Sequence, residues 1–440
     1  MGIFKAYDIR GVVPDTLNAD LAYRIGRAAP TVLEAGNIVV GHDMRVSGEE
    51  LSAALIRGIT EAGCDAVDMG LCGTSMNYFA TGFGGYDAGI MVTASHNPSE
   101  YNGFKFSRKG AAPVSYETGY AQIEKIVGGE LPPKAEKPGT VRTVDHWPDY
   151  KKQLLTYAED IAPLEVVVDA GNGMAGKFIP DLFDGLPCKL TALYFELDGT
   201  FPNHEANPLK KENIADLQKK VCEVGADIGI AFDGDADRCM FVDEKGNAVS
   251  SDLITLLIGL EAIKLEPGAA VIYDLRSSRV VPEDLEAAGG VPIETRVGHS
   301  FMKAIMRENK APVGGELSGH YYFRDQYYSD SAETAMLFIL RQLSRSGKTM
   351  SELVDPLKRY FPTGEINFEV KDKEAKIKEL EASFADGEQK HLDGLTVSYP
   401  DWWFNVRMSN TEPVLRLNLE ANTAEIRDRE RARVEAVLKS

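Results

Sequence analysis

The chain has 440 residues, and its 48 Lys and Arg against 67 Asp and Glu give a formal net charge of −19 at pH 7. A hydrophobic fraction of 44% with 26% charged residues is typical of a globular protein and excludes an intrinsically disordered chain. The acidic balance argues against DNA, RNA or an anionic membrane as a partner, while a small anionic substrate needs only a local basic pocket.

The sequence also indicates the cellular compartment and the number of domains. Its five Cys residues contain no Cys-x-x-Cys pair, which favours a reducing environment, and we expect a cytoplasmic protein. The segment MGIFKAYDIR lacks the apolar stretch of a signal peptide, and no run of 18 apolar residues predicts a membrane span. The length predicts about two to four domains, in a monomer or a dimer.

A unit of apolar strand, polar loop and helix occurs three times along the chain. Its first strands and loops lie at 38–45, 166–173 and 270–279, and the helices after them at 48–62, 175–185 and about 279–288. The second strands and loops lie at 64–75, 189–199 and 292–300, with helices near 75–83, 212–224 and 301–309. The third strands and loops lie at 88–98, 228–238 and 312–320. This order predicts parallel strands covered by helices, with ligands beyond the carboxyl ends of the strands.

The remainder of the chain predicts a smaller unit. Strands at 365–370 and 394–399 flank a helix at 372–384, and a strand pair within 402–421 precedes a helix at 424–439. The predicted fold class is α/β, with three consecutive α/β domains of mixed, largely parallel sheets and a smaller C-terminal α+β domain around a central cleft. The predicted domains are 1–146, 147–248, 249–360 and 361–440.

The loop VTASHNPSEYNGFKF (92–106) follows the third strand of the first repeat and contains Ser95, His96 and Lys105. A serine hydroxyl becomes an effective nucleophile only when a base or a metal ion activates it. The alternative interpretation of Ser95 is a capping or turn residue ahead of Asn-Pro, and the loop alone leaves both interpretations open.

The loop FDGDADR (232–238) follows the third strand of the second repeat and alternates Asp233, Asp235 and Asp237. Three converging carboxylates repel each other unless a cation neutralises them, and ligand sets made only of oxygen favour Mg²⁺ over Zn²⁺. An EF-hand is excluded because Arg238 stands where that motif requires Gly. A solvated acidic turn is the alternative, and the apolar strand that leads directly into the loop argues against it.

Two further loops carry polar residues suited to a sugar phosphate. In GGELSGHYY (314–322), Glu316, Ser318 and His320 alternate, and in an extended segment they face the same side, where they suit sugar hydroxyls. The alternative, which this segment alone does not exclude, is a loop whose polar side chains hydrogen-bond within the protein and bind no ligand. In VRMSNTEPVLR (406–416), a turn between strands carries the donors of a phosphate cradle, namely Arg407, Ser409, Asn410 and Thr411.

Several cations also stand at loops. Each of them alone fits a solvated surface charge, but together they predict the local positive pocket that the net charge does not supply. They are Arg10, Arg45, Arg238, Arg276, Arg279 and Lys303.

Five motifs occur in this order along the chain: KAYDIRG, TASHNP, DGDADR, GELSGH and RMSNTEP. With them the chain resembles the α-D-phosphohexomutases, closest to the phosphomannomutase/phosphoglucomutase branch, over essentially its whole length. The heart-shaped four-domain architecture of that family agrees with three repeats and a fourth unit.

The resemblance implies a role for each matched residue. Ser95 would be the phosphorylated serine, and His96, Lys105 and Arg238 would stabilise charge or move protons beside it. Mg²⁺ would be held by Asp233, Asp235, Asp237 and a phosphate oxygen on Ser95. The residues implied for substrate binding are Tyr7, Arg10, Arg276, His299, Glu316, Ser318, His320, Arg407, Ser409, Asn410 and Thr411.

Three positions depart from the family pattern. Ala236 replaces a common Gly, Arg276 stands where a close relative often has Lys, and Val297 stands where Thr is frequent. The first change is conservative, and the second keeps the charge with a different geometry. The third leaves the substrate detail around His299 open.

The activity implied by the resemblance is reversible phosphoryl transfer between O1 and O6 of a hexose phosphate, with a hexose 1,6-bisphosphate as intermediate and activator. Leu317 and the form RMSNTEP favour mannose and glucose phosphates, because glucosamine mutases of the family typically have Gln at the first place and an SGTEP form at the second. The alternatives are a phosphoglucosamine mutase, a metal-dependent phosphoserine phosphatase or phosphotransferase, and a non-catalytic sugar-phosphate sensor.

Overall fold

The computed structural model describes residues 2–409 and 414–440, and the strands in these ranges form four sheets. The first three sheets combine parallel and antiparallel pairs, and the pairs of the C-terminal sheet are antiparallel. The predicted fold class, α/β domains followed by an α+β domain, is confirmed.

The strands follow one another across each sheet in an order that differs from chain order. The first sheet consists of Ile9–Val12, Tyr101–Arg108, Ala88–Val92, Asn37–His42, Asp65–Leu71 and Val141–Thr143, with Ala112–Pro113 beside the second of these. The second sheet consists of Ala248–Val249, Cys239–Val242, Ile228–Phe232, Glu165–Asp169 and Lys189–Leu193. The third consists of Val291–Thr295, Ala270–Asp274, Val313–Gly315, Tyr321–Phe323 and Ser329–Asp330. The fourth consists of Phe361–Pro362, Val414–Ala421, Trp402–Met408, Leu395–Ser398 and Glu388–Lys390, with Ile366–Glu369 also on the second of these.

Helices connect these strands and cover the sheets. Those before residue 250 are Ala19–Leu33, Gly48–Glu61, Thr74–Phe83, Ala121–Gly128, Trp147–Leu155, Ala175–Phe183 and Ala215–Val224. The later ones are Ser251–Leu265, Val280–Ala287, His299–Asn309, Ala332–Ser346, Met350–Val354, Lys373–Ser383 and Ala424–Lys439. No helix in residues 2–409 or 414–440 is long and apolar enough to cross a membrane.

The three repeats share one strand order, which confirms the threefold repeat. In each repeat the second strand pairs with the first, the first pairs with the third, and the third pairs with an antiparallel fourth strand. Parallel neighbours direct their carboxyl ends to the same edge of a sheet. The loops after the three third strands therefore stand at equivalent places in the three domains.

One hydrophobic cluster joins the first three domains. It includes Phe79 of the first domain, Phe178 and Ile230 of the second, and Ile258 and Leu337 of the third. The helix Ser251–Leu265, which contains Ile258, is buried on most of its surface. Because packed interiors resist deformation, this shared core holds the loops of the three domains in a fixed relation.

The C-terminal domain has its own hydrophobic cluster and is joined to the third domain partly through Arg279. The Arg279 guanidinium donates to the carbonyl oxygens of Tyr399 at 2.6 Å, Trp402 at 3.1 Å and Pro400 at 3.2 Å. Its place among the cations of the pocket was therefore wrong. The side chain is committed to backbone carbonyls across a domain boundary, which sequence position does not reveal.

Candidate active site

The polar loops after the third strands of the three domains meet in the folded chain. The Ser95 hydroxyl of the first loop donates to Oδ2 of Asp233 in the second loop at 2.9 Å. His320 of the third loop lies with Nε2 at 3.4 Å from Oδ1 of Asp237. The expectation that each domain presents one loop to a common cleft is thus met in the geometry.

The Arg45 side chain holds the Ser95 loop in place through hydrogen bonds to backbone carbonyl oxygens of the loop. Ser95 is 1% exposed and has a φ of 53°, a left-handed conformation that is uncommon for a non-glycine residue. Arg45 donates to the carbonyl oxygens of Ser95 at 2.8 Å, Asn97 at 2.7 Å, Pro98 at 2.8 Å and Tyr101 at 2.9 Å. Arg45 therefore fixes the shape of the loop, instead of serving as the pocket cation expected from the sequence.

The Ser95 hydroxyl lies among ionisable side chains. Besides its bond to Asp233, it is 2.6 Å from Nη2 of Arg238 and 3.1 Å from Nδ1 of His96. Arg238 also contacts Nδ1 of His96 and donates from Nε to Asp233 at 2.9 Å. Burial and the charge of Arg238 hold the pKa of His96 well below its usual range, which favours a neutral imidazole.

Asp233, Asp235 and Asp237 form a compact buried cluster. One carboxylate oxygen from each lies within 4.8 Å of the others, and each residue is at most 1% exposed. Lys105 bridges two of them, at 2.8 Å from Oδ2 of Asp235 and 2.5 Å from Oδ2 of Asp237. The other oxygen of Asp235, Oδ1, is buried and has no hydrogen-bond partner among the described residues, whereas Oδ1 of Asp237 is buried with Nε2 of His320 at 3.4 Å. A buried anionic oxygen without a donor is costly, so the cluster fits a cation that completes it.

The pKa shifts of the cluster agree with a site for a cation. Burial raises the pKa of Asp233 to about 7, although Arg238 acts in the opposite direction. Burial also opposes ionisation of Asp237, but Lys105 and His320 outweigh it and hold the pKa of Asp237 well below its usual range. Burial disfavours the charge of Lys105, yet Asp235 and Asp237 raise its pKa. Lys105 is therefore a cation in this site.

The turn within DGDADR depends on two small residues. A Cβ on Gly234 would lie 2.6 Å from the carbonyl oxygen of Ser95, so that only glycine allows the two loops to approach this closely. Ala236 has a φ of 59°, which explains why glycine is common there in the family and why alanine is a strained but small substitute.

The GELSGH segment is a turn, and the expectation of an extended segment is wrong. The backbone N–H of Gly319 donates to the Glu316 carbonyl at 3.0 Å, closing a hairpin between Val313–Gly315 and Tyr321–Phe323. Gly319 makes the turn possible with a φ of +83°. The side chains still cluster, because the Ser318 hydroxyl lies 2.8 Å from Nδ1 of His320.

Glu316 is buried and already has donors. Its Oε1 accepts from the backbone N–H of Gly298 at 2.9 Å, and its Oε2 accepts from the Tyr322 hydroxyl at 2.5 Å. The residue after Gly298, His299, meets Tyr7 edge-on at 5.4 Å between ring centroids. Burial and Lys303 hold the pKa of His299 well below its usual range. Glu316, His299 and Tyr7 are thus drawn together from two domains.

Arg10 and the Ser95 loop are in direct contact. Nη1 of Arg10 donates to Oδ1 of Asn97 at 2.5 Å, and Nε donates to Asp8 at 2.6 Å. The cation named from the KAYDIRG motif therefore stands beside the Ser95 loop.

Arg276 and Arg407 converge on one carboxylate from the C-terminal domain. Glu365 lies 2.8 Å from Nη2 of Arg407, 3.6 Å from Nη1 of Arg276 and 2.9 Å from Nη1 of Arg416. Burial opposes ionisation of Glu365, but these three arginines together lower its pKa. Arg407 is 2% exposed, and its Nε has no hydrogen-bond partner among the described residues.

The hairpin that carries Arg407 has the predicted form, with strands Trp402–Met408 and Val414–Ala421 in antiparallel register. Ser409 is buried at the start of the connection, and its N–H donates to the Val414 carbonyl at 3.0 Å. Asn410 and Thr411, the other predicted phosphate ligands, lie outside the described residues.

Lys303 does not serve the pocket as a cation, contrary to expectation. Its side chain is 1% exposed, and its Nζ lies 2.9 Å from Oδ2 of the equally buried Asp330 and 3.5 Å from the ring centroid of Tyr78. Burial lowers the pKa of Lys303, against the pull of Asp330. The pair joins a helix of the third domain to its sheet edge and is structural.

We expect Asp330→Ala to lower the free energy of unfolding by about 3–5 kcal/mol, because it leaves the Lys303 charge buried without a carboxylate. Urea denaturation followed by tryptophan fluorescence measures this loss. Asp325→Ala is the matched control, since that side chain is 69% exposed and stands 3.9 Å from Arg324. Equal stability of the two variants would contradict the structural role of the pair.

Sequence reasoning missed several residues that position the site. Thr74 donates to Oδ2 of Asp235 at 2.6 Å, Glu365 holds the arginines, and Asp274 binds Arg276 at 2.7 Å. The threefold repeat could have identified Asp274 from the sequence, because an equivalent Asp occurs in each repeat. An Asp ends or directly follows the first strand of each repeat and accepts from the backbone N–H two residues on, as the bonds of Asp43, Asp169 and Asp274 show. Glu365 and Thr74 have no such signal.

Comparison with known protein families covers most of the chain. Residues 1–132, 145–246 and 250–360 match alpha/beta/alpha domains I, II and III of phosphoglucomutase/phosphomannomutase, and residues 365–437 match its C-terminal domain. This chain belongs to the phosphoglucomutase/phosphomannomutase family. The resemblance seen in the five sequence motifs is therefore confirmed.

Individual members of the phosphoglucomutase/phosphomannomutase family are similar over nearly their whole length. A protein of Xanthomonas campestris named phosphohexose mutases is 42% identical, with 95% of this chain and 94% of that protein covered. A phosphomannomutase/phosphoglucomutase of Pseudomonas syringae is 40% identical, with coverage of 96% and 91%. The crystal structure of a family protein from Burkholderia thailandensis superposes with a TM-score of 0.92 at 36% identity, covering 99% of this chain and 97% of that one.

Proposed function

We propose that this chain is a phosphohexose mutase that transfers a phosphoryl group reversibly between O1 and O6 of mannose and glucose phosphates. The observation that carries the proposal is the Ser95 hydroxyl, held 2.9 Å from Asp233 within a buried cluster of three carboxylates. A phosphorylated serine placed against a cation site, with a separate arginine cluster for a second phosphate, is the arrangement that a mutase needs.

The reaction proceeds by exchange of one P–O bond for another. The free hydroxyl of the sugar phosphate attacks the phosphorus on Ser95, the bond between phosphorus and the serine oxygen breaks, and the hydroxyl proton passes to a protein group. The product is a hexose 1,6-bisphosphate, which reorients and returns its other phosphoryl group to Ser95. Catalysis of this kind depends mainly on positioning and charge neutralisation.

Asp233, Asp235 and Asp237, together with an oxygen on Ser95, would hold Mg²⁺. The fit rests on the buried Oδ1 atom of Asp235, which lacks a donor among the described residues, and on a ligand set made only of oxygen. When bound, the ion neutralises phosphate charge as a Lewis acid. Arg238 adds positive charge directly beside the Ser95 hydroxyl, and Lys105 adds it beside the two carboxylates that it bridges.

The remaining site residues bind the substrate. Arg276 and Arg407, with Ser409, Asn410 and Thr411, hold the phosphate that is not reacting. Arg10, Tyr7 and His299 line the cleft, while Glu316, Ser318 and His320 contact the sugar hydroxyls. Glu365 holds Arg276 and Arg407 together through its carboxylate, and a bound phosphate would be a second anionic partner for them.

Arg407→Ala is expected to raise the Michaelis constants for both the 1-phosphate and the 6-phosphate of glucose. One clamp serves either phosphate in turn, and a charge-assisted hydrogen bond is worth about 1.5–3 kcal/mol, which corresponds to an increase of roughly tenfold to a hundredfold. Steady-state kinetics in both directions measure it. Arg429→Ala, an exposed arginine of the same domain, is the control, and an effect on one isomer alone would contradict a shared clamp.

The enzyme is expected to use mannose and glucose 1-phosphates and to handle glucosamine 1-phosphate poorly. When the bisphosphate turns end for end, O3 and O4 exchange places, so Glu316 and Ser318 can contact them in both orientations, whereas C2 changes sides. Specificity constants for the three sugars, with glucose 1,6-bisphosphate saturating, test this. Glucosamine 1-phosphate as the best substrate would overturn it. A ratio of the mannose to the glucose specificity constant above about 10³ would show that the enzyme contacts the C2 hydroxyl directly. A single hydroxyl without a dedicated hydrogen-bond partner gives less discrimination than this.

The same assay separates a mutase from a phosphatase that uses phosphoserine. A mutase consumes no water and releases no inorganic phosphate in proportion to turnover, and a trace of hexose 1,6-bisphosphate activates it by phosphorylating Ser95. Stoichiometric release of phosphate would favour the phosphatase.

A further inference from the structure

A cavity of about 350 Å³ lies where the segment after helix Trp147–Leu155 meets the third domain. Thr156 and Tyr157 line it from one side, and Val313 and Phe323 line it from the other. None of the described candidate active-site residues lines it. Its volume falls in the range of small-molecule sites, about 300–1,000 Å³, which often lie between domains.

Arg341 projects from helix Ala332–Ser346 into the lining of this cavity. The residue is 8% exposed, and its guanidinium carbon lies 4.6 Å from the centroid of the Phe338 ring. Among residues 2–409 and 414–440 its guanidinium has no hydrogen bond and no ion pair. Arg345, one turn later, differs in this respect, since it pairs with Asp160 at 2.9 Å and Glu261 at 3.2 Å.

An arginine in a cavity wall with no carboxylate in contact depends on water and on distant carboxylates, here Glu261 and Asp160, to compensate its charge. Burial, together with the neighbouring charge of Arg345, lowers the pKa of Arg341. The direction of that change agrees with the contacts: the folded chain leaves this charge poorly compensated. An anion in the cavity would supply the missing partner.

The rest of the lining is mainly apolar and aromatic. The rings of Tyr157, Phe323 and Phe338 stand 5.6–6.4 Å apart between centroids, and Leu265 at the rim is 67% exposed. The other arginine of the lining, Arg324, is paired with Glu266 at 2.8 Å. These walls suit an apolar body more than a fully hydrated ion.

We propose that this cavity binds a small organic monoanion, a carboxylate with an aromatic or branched aliphatic body, whose carboxylate pairs with Arg341. A carboxylate matches the planar guanidinium in a two-point contact. Inorganic phosphate is a poorer fit, because it brings a second negative charge toward Glu266 and leaves the aromatic walls without contact. The proposal is independent of the mutase activity.

Titration calorimetry of the full chain with phenylacetate, benzoate and isovalerate tests the proposal, with neutral phenylacetamide and inorganic phosphate as comparison ligands. At least one carboxylate is expected to bind saturably, and phenylacetamide to bind more weakly than phenylacetate. Arg341→Met is expected to weaken carboxylate binding by about tenfold or more, since it removes a charge-assisted contact and keeps the apolar length. Arg429→Met, an exposed arginine of the C-terminal domain outside the cavity lining, is the control and leaves the affinity unchanged.

A second variant, Leu265→Asp, tests the proposal if Arg341→Met does not fold. Leu265→Asp alters an exposed side chain at the rim and adds a negative charge there, so it is expected to weaken carboxylate binding and to spare phenylacetamide. The proposal is overturned if none of the three carboxylates binds saturably. It is also overturned if Arg341→Met binds as well as the unaltered chain or, where that variant does not fold, if Leu265→Asp leaves carboxylate affinity unchanged.

Discussion

Ser95→Ala is expected to reduce mutase turnover by about 10³-fold or more, because it removes the oxygen that carries the phosphoryl group between substrates. The variant should fold, since Ala236 adopts the same left-handed conformation nearby, with a φ of 59° against 53° at Ser95. The substrate contacts of the arginine cluster are untouched, so binding of glucose 1-phosphate should persist. A coupled assay with glucose 1,6-bisphosphate measures turnover, and calorimetry measures binding.

Mass spectrometry provides the companion measurement for Ser95. A peptide containing Ser95 should carry one phosphate in the active enzyme treated with glucose 1,6-bisphosphate, and the same peptide of Ser95→Ala should carry none. Ser107→Ala is the matched control, because this serine is also buried in the first domain and its hydroxyl makes only a 3.4 Å contact with the Gly89 carbonyl. Full turnover by Ser95→Ala would end the phosphoserine mechanism.

Asp235→Asn is expected to lower the turnover number by about 10²-fold or more and to change the Michaelis constant far less. The substitution removes one negative charge from three buried carboxylates whose ligand oxygens lie within 4.8 Å of one another. The remaining two bind a divalent cation more weakly and offset less of its charge. Calorimetric titration with Mg²⁺ should show this weaker binding directly, independently of turnover.

The control for Asp235→Asn is Asp184→Asn, an exposed aspartate of the same domain that lies outside the cluster. This control should keep both Mg²⁺ affinity and turnover. Undiminished turnover of enzyme treated with a chelator would show that the carboxylate cluster does not act through a metal ion.

The sequence allowed most of the secondary structure to be predicted because the signals are local. Alternation between apolar strands and amphipathic helices predicted the strands Asn37–His42, Glu165–Asp169 and Ala270–Asp274 to within a few residues, and the repeat predicted sheets with parallel strands. The DGDADR cluster was predictable for the same reason. Its three carboxylates lie within five residues, so local chain geometry alone brings them close.

Errors arose where a side chain chose between partners far apart in the sequence. Arg45, Arg279 and Lys303 were all expected as pocket cations, yet two of them bind backbone carbonyls and the third pairs with Asp330. The sequence around a Lys or Arg that follows a strand does not show which distant acceptor the side chain contacts in the folded protein. The GELSGH turn was misjudged because its alternating residues were placed on an extended loop, while Gly319 permitted a tight turn.

The sequence by itself determined the strand and helix units, the threefold repeat, and the identity of Ser95 and the three aspartates, since each is written in a short stretch of chain. Only the tertiary structure decided that Glu365 gathers Arg276 and Arg407, that Thr74 supports Asp235, and that Arg341 is buried without an anion. These contacts join residues 42 to 161 positions apart, or depend on a cavity between two domains. Burial and Coulomb interactions act through space, and composition, periodicity and spacing along the chain do not encode which distant surfaces will meet.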